Sequence, residues 1–387
     1  MQAKQLLVLA VAAVLAIGVA IYLQSPGQRQ TAIERNLFIP GLGDNINAVT
    51  QLRLKKARDE TVATLKLGEQ GWTLAERSDY PADAGKIRKL LLELSEARIL
   101  EQKTSNPELY SKLGVEDITS KHAAGLQLEM DGLEAPVAVI IGQAAGKLEA
   151  TYARVTADQQ SVLISGLIEP DSETTDWLNT ELVDIASTRV QHVRINRPDG
   201  DDLEASKTGR DASLEVQNIP QGRELESATA ISTLGSVLAG LALEDVVPSS
   251  SLDAESTEWI TTEFHTFDGL ALKVRSLESD EDYYVTMEAS FDEQQARAHY
   301  QPPEQEPAQA AEALDEAEES AAGERESAET AGPPAAEEID PSTFDEAKLE
   351  AEKLQTVFEG RAFKITPYKY DNLTKPLSSL LKEEEEE

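Results

Sequence analysis

Gly142, Gly146 and Lys147 come nearest to a catalytic motif in this sequence, because a glycine-rich turn ahead of a lysine can cradle a phosphate in backbone amides. The first glycine stands one residue too late for such a loop. Leu148 also occupies the place of the hydroxyl residue that would hold magnesium. The segment therefore reads as a hairpin turn. Gly41-Leu42-Gly43 lacks the third glycine of a dinucleotide-binding loop and lies in a linker context. Neither a G-x-S-x-G nucleophile elbow nor an H-E-x-x-H zinc helix occurs. The four histidines, His122, His192, His265 and His299, are scattered without ligand spacing and read as surface or strand residues. Asp280 and Asp282 offer a calcium ion two carboxylates, but their loop lacks the glycine and the distal glutamate of a calcium loop. Trp72, Trp177 and Trp259 read as core residues. No catalytic, cofactor-binding or metal-binding residue emerges, and the chain reads as a non-enzyme.

Charge and composition narrow the classes further. With 71 acidic residues against 35 basic ones the net charge is −36, which repels nucleic acid and anionic lipid surfaces. The acidity fits adaptation to salt or a general solubility device, and the sequence leaves both open. Cysteine is absent, so disulfides, thiol nucleophiles and zinc–thiolate sites are excluded. A hydrophobic fraction of 40% in 387 residues supports real cores in about two domains.

The elements form a repeated α+β plan. Strand candidates Val49–Leu54, Thr61–Leu67 and Gly71–Ala75 precede the stretch Tyr80–Glu101, where Ile87, Leu90, Leu91 and Leu94 line one helical face and Asp83 is placed to cap it. A second copy runs through Val190–Ile195, Asp202–Ala205 and Ser213–Val216 into a helix with Ile231, Leu234, Leu238 and Leu241 on one face. Pro198-Asp199-Gly200 supplies its first turn. Between the copies, Asn106–Val115 (NPELYSKLGV) predicts a short helix. Four strands follow, Leu126–Met130, Val137–Ile141, Ala150–Val155 and Ser161–Ser165, and then a helix over Asp176–Ile185. Past the second copy come strands Leu270–Leu277 and Tyr283–Phe291, helix Phe344–Phe358, strand Arg361–Thr366 and a last helix near Asn372–Leu381.

Leu6–Leu23 is an unbroken apolar run whose helix would span about 27 Å, enough for a hydrocarbon core. A cleaved signal peptide, with Gly18 and Ala20 near its cut, is the competing reading, but the run is long for one. The short flank before it predicts a cytoplasmic N-terminus with the bulk of the chain in the periplasm. The full partition is an anchor at 1–24, a linker at 25–45, a first α+β module at 46–187 and a second at 188–381. Within the second, the Glu-, Ala- and Pro-rich stretch 301–341 predicts a disordered acidic insertion, and 382–387 is an acidic tail.

Taken together, the apolar run, the strand ending in Trp72, Tyr80-Pro81-Ala82-Asp83 opening a helix, NPELYSKLGV, the joint DWLNTELVDIASTRVQHVRI at Asp176–Ile195 and the closing FEGRAFKI resemble the bacterial family known as domain of unknown function 4340. Members of that family typically accompany gliding-motility-type ABC transport systems. The resemblance thus implies a non-catalytic accessory protein of the inner membrane with an ABC permease and ATPase as partners, and it carries over no catalytic residues. The acidic insertion departs from the family pattern. The alternative expectation is a periplasmic binding module for an envelope polysaccharide or lipid, favoured by exposed aromatics around Trp72 or Tyr80.

Overall fold

The computed structural model describes residues 36–146, 148–226, 228–252, 258–299 and 344–382. The apolar run Leu6–Leu23 and the insertion 301–341 lie outside the described residues. Among the described residues, no helix is long and apolar enough to cross a membrane. The chain divides into two compact units, one of residues up to Thr180 with Glu244–Val247, the other of Glu181–Leu243 with Pro248–Glu387.

The first unit is one antiparallel sheet backed by a helix. Its strands are β1 (Gln51–Lys56), β2 (Glu60–Gly68), β3 (Gly71–Leu74), β4 (Tyr80–Pro81), β5 (Ile99–Gln102), β6 (Leu126–Asp131), β7 (Val137–Ala144), β8 (Ala150–Val155) and β9 (Ser161–Ser165). They lie in the order β4-β3-β2-β1-β6-β7-β8-β9-β5. Helix α1 (Ala84–Glu96) starts where expected, with the Asp83 carboxylate accepting from the Lys86 amide at 3.0 Å. It buries Ile87, Leu90, Leu91 and Leu94, while Leu52, Leu54, Leu65 and Leu74 line the core from the sheet.

In the second unit, β10 (Glu181–Val183), β11 (Val190–Asn196), β12 (Leu203–Ser206), β13 (Glu215–Val216), helix α2 (Ala228–Ser236), β14 (Leu241–Pro248), β15 (Ile260–Thr266), β16 (Leu270–Ser279), β17 (Asp282–Phe291) and β18 (Arg361–Ile365) make the sheet β10-β14-β18-β17-β16-β15-β11-β12-β13. Pairing β1, β2, β3 and β5 to β9 with β11, β12, β13 and β14 to β18 superposes the two orders strand for strand. In both units the strand after the helix crosses to the far side of the sheet, leaving β4 and β10 as additions at the edges. The repeat is thus eight strands and a helix, longer than the three strands and a helix read from the sequence.

Several expectations are corrected. Asp176–Ile185 is not a helix but a 3₁₀ turn at Thr174–Trp177 followed by extended β10, since Trp177 is locked inward with its indole N–H donating to the Asp171 carbonyl at 3.2 Å. The short helix expected within Asn106–Val115 is present, as a 3₁₀ helix over Pro107–Lys112. Helix α2 stops at Ser236, and Leu241 opens β14 instead of closing the helix. The last helix begins earlier, at Pro367–Leu373, with a separate 3₁₀ turn at Leu377–Leu380. The expected linker 25–45 is not a free stalk throughout. Phe38, Ile39 and Leu42 are buried, and the Ile99 amide donates to the Asn36 carbonyl at 2.7 Å.

Helices α3 (Glu293–Ala298) and α4 (Asp345–Phe358) lie between β17 and β18, where the first unit has only residues 156–160. β18 pairs with β17 at Tyr283–Val285, and beyond that α4 takes over: Gln355 Oε1 accepts from the Ala289 amide at 2.8 Å. The chain leaves and returns at one place, because the Arg297 guanidinium lies 5.9 Å from the centroid of the Phe344 ring. Replacing 301–341 with about eight Gly/Ser residues should therefore leave the fold intact. It should add about 1.5 kcal/mol in urea denaturation, from two to three halvings of loop length at about 0.6 kcal/mol each. A loss of stability would show that the insertion contributes contacts.

Candidate functional site

The first unit carries an apolar cleft of about 270 Å³ between α1 and the β2–β3 hairpin. Ile87, Leu91 and Leu92 form its helical wall, with Leu67, Trp72 and Val49 opposite and Arg88 and Asn47 also lining it. Helical spacing explains the wall: Ile87 and Leu91 point inward one turn apart, whereas Leu92 falls outside the buried stripe and is 45% exposed. Leu67 is likewise 41% exposed, and Trp72 is half-buried. Tyr80 is fully buried, so of the two aromatics expected to mark a ligand surface only Trp72 reaches one.

The second unit carries a polar sheet face. Strand register aligns Glu204, Arg194, Glu263, Lys273 and Glu288 in one row across β12, β11, β15, β16 and β17, an alternation of charge that lets each cation face carboxylates on both sides. The neighbouring row holds His192 opposite His265, with ring centroids 5.8 Å apart. The histidines are thus not all scattered in space. His192 and His265 are 73 positions apart in sequence but meet across one strand pair, a proximity that no local spacing could reveal.

Glu204 accepts from Arg194 at 2.8 Å and meets His192 Nε2 at 3.0 Å, and those two contacts hold its carboxyl below the ordinary range. Burial first, and the neighbouring His192 second, push the His265 imidazole below its ordinary value, so it is neutral at neutral pH. It lines an open hollow of about 460 Å³ with Glu263, Lys273, Glu288 and Gln355. A neutral imidazole can act as a base. Among the described residues, however, no group of three or more His, Cys, Asp and Glu side chains is placed to hold a metal.

The remaining sequence candidates have structural roles. Gly142 does not cradle a phosphate: a Cβ there would come 2.3 Å from the Leu113 carbonyl oxygen, so its role is to let the NPELYSKLGV segment cross the sheet closely. Asp280 and Glu281 are the two left-handed residues of a tight hairpin, and Asp282 pairs with Lys364 at 2.7 Å. Trp177 is buried as expected, but Trp72 and Trp259 are only half-buried. Trp259 stacks with Arg275, whose guanidinium is 4.6 Å from the ring centroid.

One buried charge was missed by sequence reasoning. Arg154 on β8 is enclosed, donating from Nε to the Val115 carbonyl at 3.0 Å and from Nη1 to the carbonyls of Asp158 and Thr156 at 3.1 and 3.4 Å. It also pairs with Asp117 and lies 4.8 Å from the centroid of the Tyr110 ring. Nothing in the local sequence distinguishes it from an exposed strand arginine.

Residues 72–258 match the model of a family described as Domain of unknown function (DUF4340). The match begins at Trp72 on β3 and runs through the rest of the first sheet into the second unit, past β14. It supports the resemblance to that family over this stretch. No curated protein and no solved structure matches the chain.

Proposed function

We propose that this protein is a non-catalytic accessory of an ABC-type transport system of the gliding-motility kind. In this reading residues 6–23 hold it in the inner membrane, its N-terminus is cytoplasmic, and its two α+β units stand in the periplasm where they contact a permease and its ATPase. The observation that carries the proposal is the duplicated sheet module, in which the titratable clusters are engaged in cross-strand and loop-anchoring pairs. Because function lives in sites rather than in folds, it is this engagement of the charged groups in the sheet's own pairing that favours an interaction surface over catalysis. The match to the domain of unknown function and the apolar run near the N-terminus also support it.

The test is purification of the tagged full-length chain from its own membranes in mild detergent, with identification of what accompanies it. A permease and an ATPase in stoichiometric amounts are expected. Recovery of the chain alone, or free in the periplasm with its N-terminal run removed, would overturn the accessory reading.

A further inference from the structure

The cleft beside Trp72 has a chemistry that goes beyond the accessory role and stands independently of it. Eight of the ten side chains that line it are apolar, with Arg88 and Asn47 the polar exceptions, and at about 270 Å³ it lies just below the usual 300–1,000 Å³ of small-ligand pockets. That is room for one alkyl chain, while a protein partner would need a far larger patch. Leu67 and Leu92 keep 41% and 45% of their surface in water at its edge, area that an apolar ligand would cover.

The polar groups at the cleft select the other end of such a ligand. On the same helix, Lys86 pairs with Asp171 at 2.9 Å and Lys89 with Glu93 at 3.8 Å. The Arg88 guanidinium makes no hydrogen bond or ion pair with any described residue, and neither do the Trp72 indole N–H and the Asn47 amide. Arg88 and Asn47 are exposed and meet water in the free protein. An arginine and an indole can only donate, so a ligand that displaces this water must offer an acceptor, and the arginine's charge makes an anionic one strongest. The net charge of −36 acts against extended anionic surfaces. A single headgroup in contact with Arg88 is instead governed by charges within the roughly 8 Å Debye length of physiological salt.

We propose that this cleft binds a free medium-chain carboxylate, with its alkyl chain against Trp72, Leu67, Leu91 and Leu92 and its carboxylate on Arg88. The test is tryptophan fluorescence of the full chain in phosphatidylcholine nanodiscs, or in detergent-free buffer if the chain is soluble. The titrant is ω-bromodecanoate, whose bromine quenches a tryptophan that it touches. Saturable quenching is expected in the native chain and absent in Trp72→Phe. Arg88→Gln should weaken ω-bromodecanoate about tenfold, the scale of one charge-assisted hydrogen bond, and leave ω-bromodecanol unaffected. No saturable quenching, quenching that persists in Trp72→Phe, or an Arg88→Gln variant of native affinity would overturn the site. Equal quenching by chain-brominated phosphatidylglycerol in the discs would place bilayer lipid in the cleft and overturn the free carboxylate.

Discussion

Replacing Arg154 with methionine is expected to cost the first unit about 3–5 kcal/mol, the range for removing one member of a buried charged network. The guanidinium ties the end of the NPELYSKLGV segment, at the Val115 carbonyl, to β8. Tyr110, Val115 and Ile140 form a small apolar cluster there, with Leu113 and Tyr152 packed against it. Backbone carbonyls at Val115, Thr156 and Asp158 point into this layer, and Arg154 supplies their donors. Methionine replaces the stem but leaves these acceptors unpaired, each at about 1–3 kcal/mol when water cannot reach it.

Arg154→Lys should recover little, because one ammonium cannot reproduce the planar fork that reaches several carbonyls at once. Asp117→Asn should cost under about 1 kcal/mol, since that carboxylate is 71% exposed and water replaces its partner. Urea denaturation followed by tryptophan fluorescence measures all three. An Arg154→Met variant within about 1 kcal/mol of the native chain would show that the segment is held by its apolar contacts alone.

The same region shows what the sequence conveyed and what it hid. Alternation made most strands readable: Val285, Met287, Ala289 and Phe291 on β17 and Leu52 and Leu54 on β1 announce a one-sided sheet. The Asp83 cap and the leucine stripe of α1 were equally plain, because both signals lie within one or two turns. β15 carries a weak local signal because its inward positions include Thr262 and Thr266 among Ile260 and Phe264. The Thr262 hydroxyl is satisfied by the Leu373 carbonyl, 111 residues away, whereas Thr266 bonds to Asp268 and the Leu270 carbonyl close by. The start of β14 reads locally as the end of a helix because Ile231, Leu234, Leu238 and Leu241 keep helical spacing while the chain changes conformation between them. In each case long-range packing, rather than local propensity, decided the element.

The candidate site divides in the same way. The outward position of Leu92 on α1 and the half-buried Trp72 on β3 follow from short-range periodicity once the helix is placed. The meeting of His192 with His265, the five-residue charge row and the burial of Arg154 depend on strand register. Register is set by pairing between segments that a single sequence does not align.

Leu90 and Leu234 occupy equivalent places in the two copies, and both are buried, so alanine at either should cost 2–5 kcal/mol by loss of apolar contact plus a residual cavity. The two costs should differ within that range. Helix α1 is 13 residues long and fixed at its start by Asp83, so its backbone cannot settle into the cavity left by Leu90→Ala, and the cost belongs at the upper end. Helix α2 has nine residues and ends at Ser236. Its C-terminal side is held by Lys369, whose ammonium donates to the Val237 and Ala239 carbonyls at 2.8 and 2.9 Å. Gly235 permits close approach to Leu214, whose flexible side chain can move into vacated space. Collapse around Leu234→Ala should therefore be more complete and its cost nearer 2 kcal/mol. Paired urea denaturations of the full-length variants give the comparison. A larger loss at Leu234 than at Leu90 would mean that the shorter helix is the more rigidly held of the two, with the Lys369 contacts rather than helix length setting how far each copy can relax.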